Sequence, residues 1–407
     1  MPRQAASAIS QDTLASAVVA NNAFALDVYG RIRSSSASSN LLTSPLSASL
    51  ALTMAYAGAR GDTASQMATA LHFAATSGSI FTGQNALIQT LGSEAARALA
   101  FDKPSSTTPP SPSDYELQVV NSVWGEQTYP WQKPFLDLLA ENYGAGIYLD
   151  DFIGNLEGTT QAINSWVSAQ TDDKINDLLT GLDPSTRLVL VNAIHLKLPW
   201  AYPFDVSATL PAAFTTAAGA SVSTPFMNQS QTFGYVDDGQ AQVVSMPLAS
   251  ASIAVLIALP HGDLATYEST LTPESSVFRL STLSMGGQVN LSLPKVTFTS
   301  ATFSLAPTLQ AMGMTDAFDP SSADFSGLCA KPLFISDVRQ KASVAMQETG
   351  VEAAAATAAV FEDAAASLTP PPVMVVNRPF VLSIVDESTG AILFIGHIVD
   401  PTATGGP

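Results

Sequence analysis

Apolar residues recur at helical spacing near the start of the chain. Between Leu14 and Tyr29 the apolar positions Leu14, Val18, Phe24, Leu26 and Val28 are separated by polar and small ones. That pattern predicts an amphipathic helix with one buried face. Two other stretches read as strands. One begins near Tyr115, and the other is QVNLSL around Asn290. Upstream of Tyr115, residues Asp102–Asp114 read DKPSSTTPPSPSD, which has the Pro and Ser content of a surface loop.

The stretch from Gln347 to Ala359, QETGVEAAAATAA, gives two readings. Four consecutive alanines, Ala353 to Ala356, favour helix, so an exposed helix or an Ala-rich linker is one. Parity gives the other, because residues two apart share a face in a strand. Val351, Ala353, Ala355, Thr357, Ala359 and Phe361 lie on one face. Glu352, Ala354, Ala356, Ala358, Val360 and Glu362 lie on the other, so both carboxylates point the same way. A small or apolar face opposite one that carries charge suits a strand buried on one side, slim enough to enter between two existing strands.

Composition narrows the functional classes. The chain has 407 residues, 46% hydrophobic and 12% charged, enough to bury a large core, and we read residues 1–407 as one domain. No apolar run approaches a membrane span, and the opening residues lack the charged-then-apolar pattern of a secretion leader. The compartment is left open. A net charge of −18 argues against nucleic acid and anionic membranes as partners. Cys329 is the single cysteine, so no intrachain disulfide forms. His72, His195, His261 and His397 show no metal-binding spacing, and neither GxSxG nor a phosphate-binding loop occurs. No metal, cofactor or enzymatic activity is expected.

The Ala-rich stretch closely resembles the proximal hinge of the reactive loop in serpins. The matching residues are Glu348, Gly350, Val351, Glu352 and Ala353, Ala354, Ala355, Ala356. Further matches run along the chain in the family's order. NLLTSPLSASLALTM (Asn40–Met54) carries Ser44, Pro45 and Ser47 at the positions of the shutter beneath the central sheet. NSVW (Asn121–Trp124), INSWVSAQTDDKI (Ile163–Ile175) and VLVNAIHLKLPWAYPFD (Val189–Asp205) follow, the last with Asn192, Trp200, Pro203 and Phe204. Leu293–Lys295, Met312–Leu328, Asn377–Pro379 and Ile392–Pro401 complete the set.

The resemblance implies an α+β serpin fold with three β-sheets, eight to nine helices and an exposed reactive loop at about 348–372. It implies a monomeric, single-use inhibitor that captures a serine protease in a covalent 1:1 complex and inserts the cleaved loop into the central sheet. Counting along from the hinge places the reactive bond at Ala364–Ala365, which fits elastase-like or subtilisin-like proteases. Counting back from Pro379 places it at Leu368–Thr369, which fits chymotrypsin-like ones. The alternative is a non-inhibitory serpin, cleaved as a substrate and serving storage, carriage or folding. Heparin activation is not expected, because Gln89–Lys103 offers only Arg97 and Lys103 against Glu94 and Asp102.

Three departures from the family pattern stand out. Val351 replaces the usual Thr or Ser, and its β-branched side chain is stiff. Gln340 stands where animal serpins commonly have His, which predicts a shutter bonded to Asn192 and insensitive to pH through the His range. Leu198 and Pro199 replace a Gly and a basic residue and suggest no function. The resemblance also pairs Glu348 with Lys295 at the surface.

Overall fold

The computed structural model describes residues 2–74, 78–101, 116–144, 146–171, 173, 175–249, 252–278, 287–351 and 370–405. The first part of the chain holds α1 (Gln11–Ile32), β1 (Leu41–Thr43), α2 (Pro45–Tyr56), α3 (Gly61–Ala70) and α4 (Ser79–Phe101). Next come β2 (Glu116–Glu126), α5 (Lys133–Tyr143), β3 (Ile147–Asp150), α6 (Leu156–Gln170) and β4 (Leu188–Pro199). The middle is β5 (Leu210–Thr215), β6 (Ser221–Asp237), β7 (Ala241–Pro247), β8 (Ile253–Pro260), α7 (Leu264–Ser269) and β9 (Gly287–Pro294). Then follow β10 (Val296–Thr299), β11 (Phe303–Ser304), α8 (Ala306–Ala311), β12 (Arg339–Gln340), β13 (Ser343–Gln347) and β14 (Gly350–Val351). The chain closes with β15 (Val373–Val375), β16 (Phe380–Asp386) and β17 (Ala391–Ile398). The described residues thus form eight α-helices in an α+β fold.

Helix α1 covers the predicted Leu14–Tyr29 and extends three residues beyond it at each end. Ser10 caps its start by accepting from the Thr13 amide at 3.2 Å, and Asp12 and Arg31 complement the helix dipole at its two ends. Val18, Phe24 and Val28 are buried as the periodicity requires. Helix α2, with Pro45 in its first turn, is buried at every position but Tyr56 and touches β2, β4 and β17. It lies in the core between the two large sheets.

A nine-stranded sheet runs β1-β17-β16-β8-β7-β6-β9-β15, with β5 also on β6. Strand β6 joins its halves, pairing with β9 along Phe226–Phe233 and with β7 along Gly234–Asp237. Two of the three expected sheets therefore share one long strand. A six-stranded sheet runs β10-β13-β14-β4-β2-β3, and β11 with β12 forms a small pair. On β4, Leu188 and Leu190 enter the core on the α2 side, whereas Val189 and Val191 pack with Ile163 and Val167 of α6. This alternation is the period-two pattern of a central strand covered on both faces.

The low-complexity stretch 102–114 and residues 352–369 lie outside the described residues. The latter include Glu352, Ala353 to Ala356 and both candidate bonds, Ala364–Ala365 and Leu368–Thr369.

Candidate functional site: the hinge strand in the six-stranded sheet

Strand β14 is described over two residues, Gly350 and Val351, which are wedged between the ends of two longer strands. Gly350 pairs with Pro199 of β4 and Gln347 of β13, and Val351 pairs with Leu198 and Met346. Strands β13 and β4 pair with each other nowhere among the described residues, so β14 alone joins the two parts of the sheet. The fit is tight. A Cβ on Gly350 would lie 2.5 Å from both the Leu198 carbonyl oxygen and Pro199 Cα, closer than atoms pack, so only glycine passes there. Val351 is 2% exposed and joins the core with Leu198, Met346 and Trp200.

The residues before β14 are held through three successive carbonyls. Trp200 donates its indole Nε1 to Gln347 O at 2.7 Å and its backbone amide to Thr349 O at 3.0 Å. The Phe204 amide donates to Glu348 O at 2.8 Å. The Glu348 carboxylate accepts from Lys295 Nζ at 2.8 Å and from Thr209 Oγ1 at 2.9 Å. Burial pushes its pKa up, but the bonds from Lys295 and Thr209 outweigh that, and the group is held below the ordinary glutamate value. The expected partner is present, but the pair is not a surface one: the Glu348 side chain is 9% exposed and that of Lys295 34%. Lys295 is placed there by the chain passing from β9 in one large sheet to β10 in the other.

Farther along β4 lies a cavity of about 160 Å³. It lies between Val189–Val191 and the segment carrying Ser336, Asp337 and Arg339, and is bounded by Leu178–Asp183. From Leu198 back to Val189 is nine residues, about 30 Å of extended strand.

Beneath the sheet, Gln340 clasps the start of α2. Its Nε2 donates to Ser44 O at 2.7 Å, and its Oε1 accepts from the Ser44 amide at 3.2 Å and from the Thr43 hydroxyl. Ser44 Oγ in turn donates to Leu393 O of β17 at 2.8 Å. Gln340, Ser44 and Thr43 are all buried, and the amide gives and receives without a titratable group. Ser47 is buried one residue pair further along α2. Asn192 sits on β4 opposite Asn121, and its side chain is outside the described ones.

The structure brings Glu348, Lys295, Gly350, Val351 and Trp200 together and sets Gln340 against the start of α2, and sequence reading missed several of their partners. Thr209 and Thr43 carry no local signal, because each meets its partner across more than 130 residues of chain. Leu198 and Pro199, which suggested no function, are the strand partners of the hinge. Among the described residues no helix is long and apolar enough to cross a membrane, and no three His, Cys, Asp or Glu side chains cluster as metal ligands.

The family model described as "Serpin (serine protease inhibitor)" matches residues 19–401. The chain belongs to the serpin family. Among its relatives, the leukocyte elastase inhibitor of Bos taurus is 35% identical over 94% of this chain and 98% of its own. An uncharacterized serpin-like protein of Thermococcus kodakarensis is 33% identical over 94% of this chain and 85% of its own. Two solved serpins superpose over nearly the whole molecule. Human thyroxine-binding globulin complexed with thyroxine has a TM-score of 0.81 at 31% identity, covering 96% of this chain and 100% of its own. Tengpin, a thermophilic serpin in the native state, has a TM-score of 0.80 at 27% identity, covering 98% and 96%.

Proposed function

We propose that this serpin is an irreversible, suicide-substrate inhibitor of serine proteases, with elastase-like or subtilisin-like targets. The observation that carries the reading is the seating of the hinge. Gly350 and Val351 lie in the seam between β13 and β4 and pair with both.

In the proposed reaction the protease serine attacks the carbonyl carbon of Ala364. The Ala364–Ala365 bond breaks, the Ala365 amine leaves with a proton, and an ester joins Ala364 to the enzyme. The freed hinge then extends β14 along β4. A dozen new strand residues, at about 0.5–1.5 kcal/mol per net hydrogen bond, supply on the order of ten kcal/mol. That gradient draws the tethered protease across the sheet and distorts it before the ester is hydrolysed. The alanines after Glu352 bring no bulk into the seam, and Val351 brings no charge to desolvate. That relatives of this chain are named leukocyte elastase inhibitor supports elastase-like targets.

One observation favours the second reading, a non-inhibitory serpin. Val351 is fully packed where the family usually carries Thr or Ser, and the fold also serves a carrier, thyroxine-binding globulin. Incubation with pancreatic elastase, subtilisin and chymotrypsin, followed by denaturing gels and the mass of the released C-terminal peptide, separates the two. A denaturation-resistant complex with loss of enzyme activity is expected, and the peptide mass chooses between Ala364 and Leu368. Clean cleavage without complex by all three would establish the substrate reading.

A further inference from the structure

A groove of about 600 Å³ lies between α1, the chain after α3 and the start of α4, far in sequence from the hinge. That volume is in the range of small-molecule sites. Its wall is largely apolar or small, with Val19 and Ala20 from α1, Phe73 from the connection and Ile80 from α4. Val19 is 69% exposed, although it stands in the middle of α1 and faces this groove. The two helices are pressed together at Gly83, where a Cβ would lie 2.8 Å from Thr13 O and 2.9 Å from Ala17 Cβ. That contact fixes the next residue, Gln84, in the wall.

Gln84 is fully buried, yet neither its Oε1 nor its Nε2 has a hydrogen-bond partner. A buried amide with both functions unmet is unfavourable unless something arrives to meet them. Its neighbour Asn85 shows the usual outcome, engaging Arg3, Gln4 and Gln89. Asp12 and His72 line the groove, and His72 Nε2 is hydrogen-bonded to Asp27 at 2.7 Å. With an acidic residue at the rim and a net charge of −18, the groove disfavours anions.

We propose that this groove is a binding site for an uncharged, mainly apolar molecule carrying an adjacent donor and acceptor, such as a carboxamide or lactam. The ligand's N–H meets Gln84 Oε1 and its carbonyl accepts from Gln84 Nε2, while its apolar part covers Val19, Ala20 and Ile80.

Octanamide is the probe, titrated into the full chain and followed through the methyl NMR signals of Val19, Ala20 and Ile80. Saturable shifts are expected at these methyls. Binding is expected to weaken at least tenfold in Gln84→Leu, and several-fold for methyl octanoate, which accepts but cannot donate. Absence of saturable shifts, or equal affinity in Gln84→Leu and the parent chain, would overturn the proposal. Should Gln84→Leu fail to fold, Val19→Trp decides, since that exposed position tolerates bulk. Loss of octanamide binding there supports the site, and unchanged binding rejects it. Neither outcome depends on protease inhibition.

Discussion

The two large sheets are made of similar apolar residues and hold two of their inner strands, β16 and β14, in different ways. In the nine-stranded sheet, β16 is buried at every position and pairs on both sides, with all seven residues against β17 and six against β8. In the six-stranded sheet, β14 pairs on both sides over two residues. What separates them is how each is held: β16 is fixed along its whole length, whereas the described part of β14 is held by two residue pairs on each side.

The same substitution placed in each sheet tests that contrast, with the largest effect in the nine-stranded one. A Cβ at Gly396 of β17 would lie 2.1 Å from the Leu41 carbonyl oxygen. Gly396→Ala is therefore expected to force β1 from β17 and cost about 3 kcal/mol or more in urea unfolding. Gly350→Ala meets a similar clash at 2.5 Å, but β14 can leave the seam. Its stability is expected to change by less than about 1 kcal/mol, while the proposed function predicts that protease complex on the gel gives way to cleaved chain. If Gly350→Ala proved as costly to stability as Gly396→Ala, the seam would be as fixed as the nine-stranded sheet.

Between these extremes lies the clasp beneath the sheet. Gln340→Leu removes the three described hydrogen bonds and leaves the Ser44 amide and carbonyl buried without their side-chain partner. A loss of about 2–3 kcal/mol is expected by urea unfolding. Gln340→His should recover part of it and introduce a dependence on pH between about 6 and 7 that the parent chain lacks at this site.

The smallest effect belongs to Glu348. Its folded pKa is lowered, so its contribution is fully present above the unfolded value near 4.3. It is lost as pH falls through the lower folded value. Glu348→Gln is expected to cost about 1 kcal/mol at pH 7, since Lys295 is partly solvated, and the two proteins should converge in acid. A gap that persisted at low pH would assign the role to packing instead of charge.

How far the sequence could be read follows the same division. Helix α1 was legible because a 3.6-residue period marks a helix facing a core, and the two ends it gained rest on Ser10 and the dipole charges. The family motifs carried the order of the elements and the Glu348–Lys295 pair. What sequence could not give was contact between distant segments. Thr209 at the Glu348 carboxylate, Thr43 at Gln340 and the burial of both sites emerge only when the sheets are assembled. The parity of Val351 predicted a strand with one buried face, yet Gly350 and Val351 are both buried, because both faces of the sheet are covered at this point.

The central claim is that the seam accepts the rest of the loop once the loop is cut. The most direct measurement is thermal unfolding of the chain before and after cleavage between 352 and 369. Insertion worth on the order of ten kcal/mol predicts a Tm higher by roughly ten degrees or more in the cleaved form. A cleaved chain that melts at or below the temperature of the intact one would contradict the account.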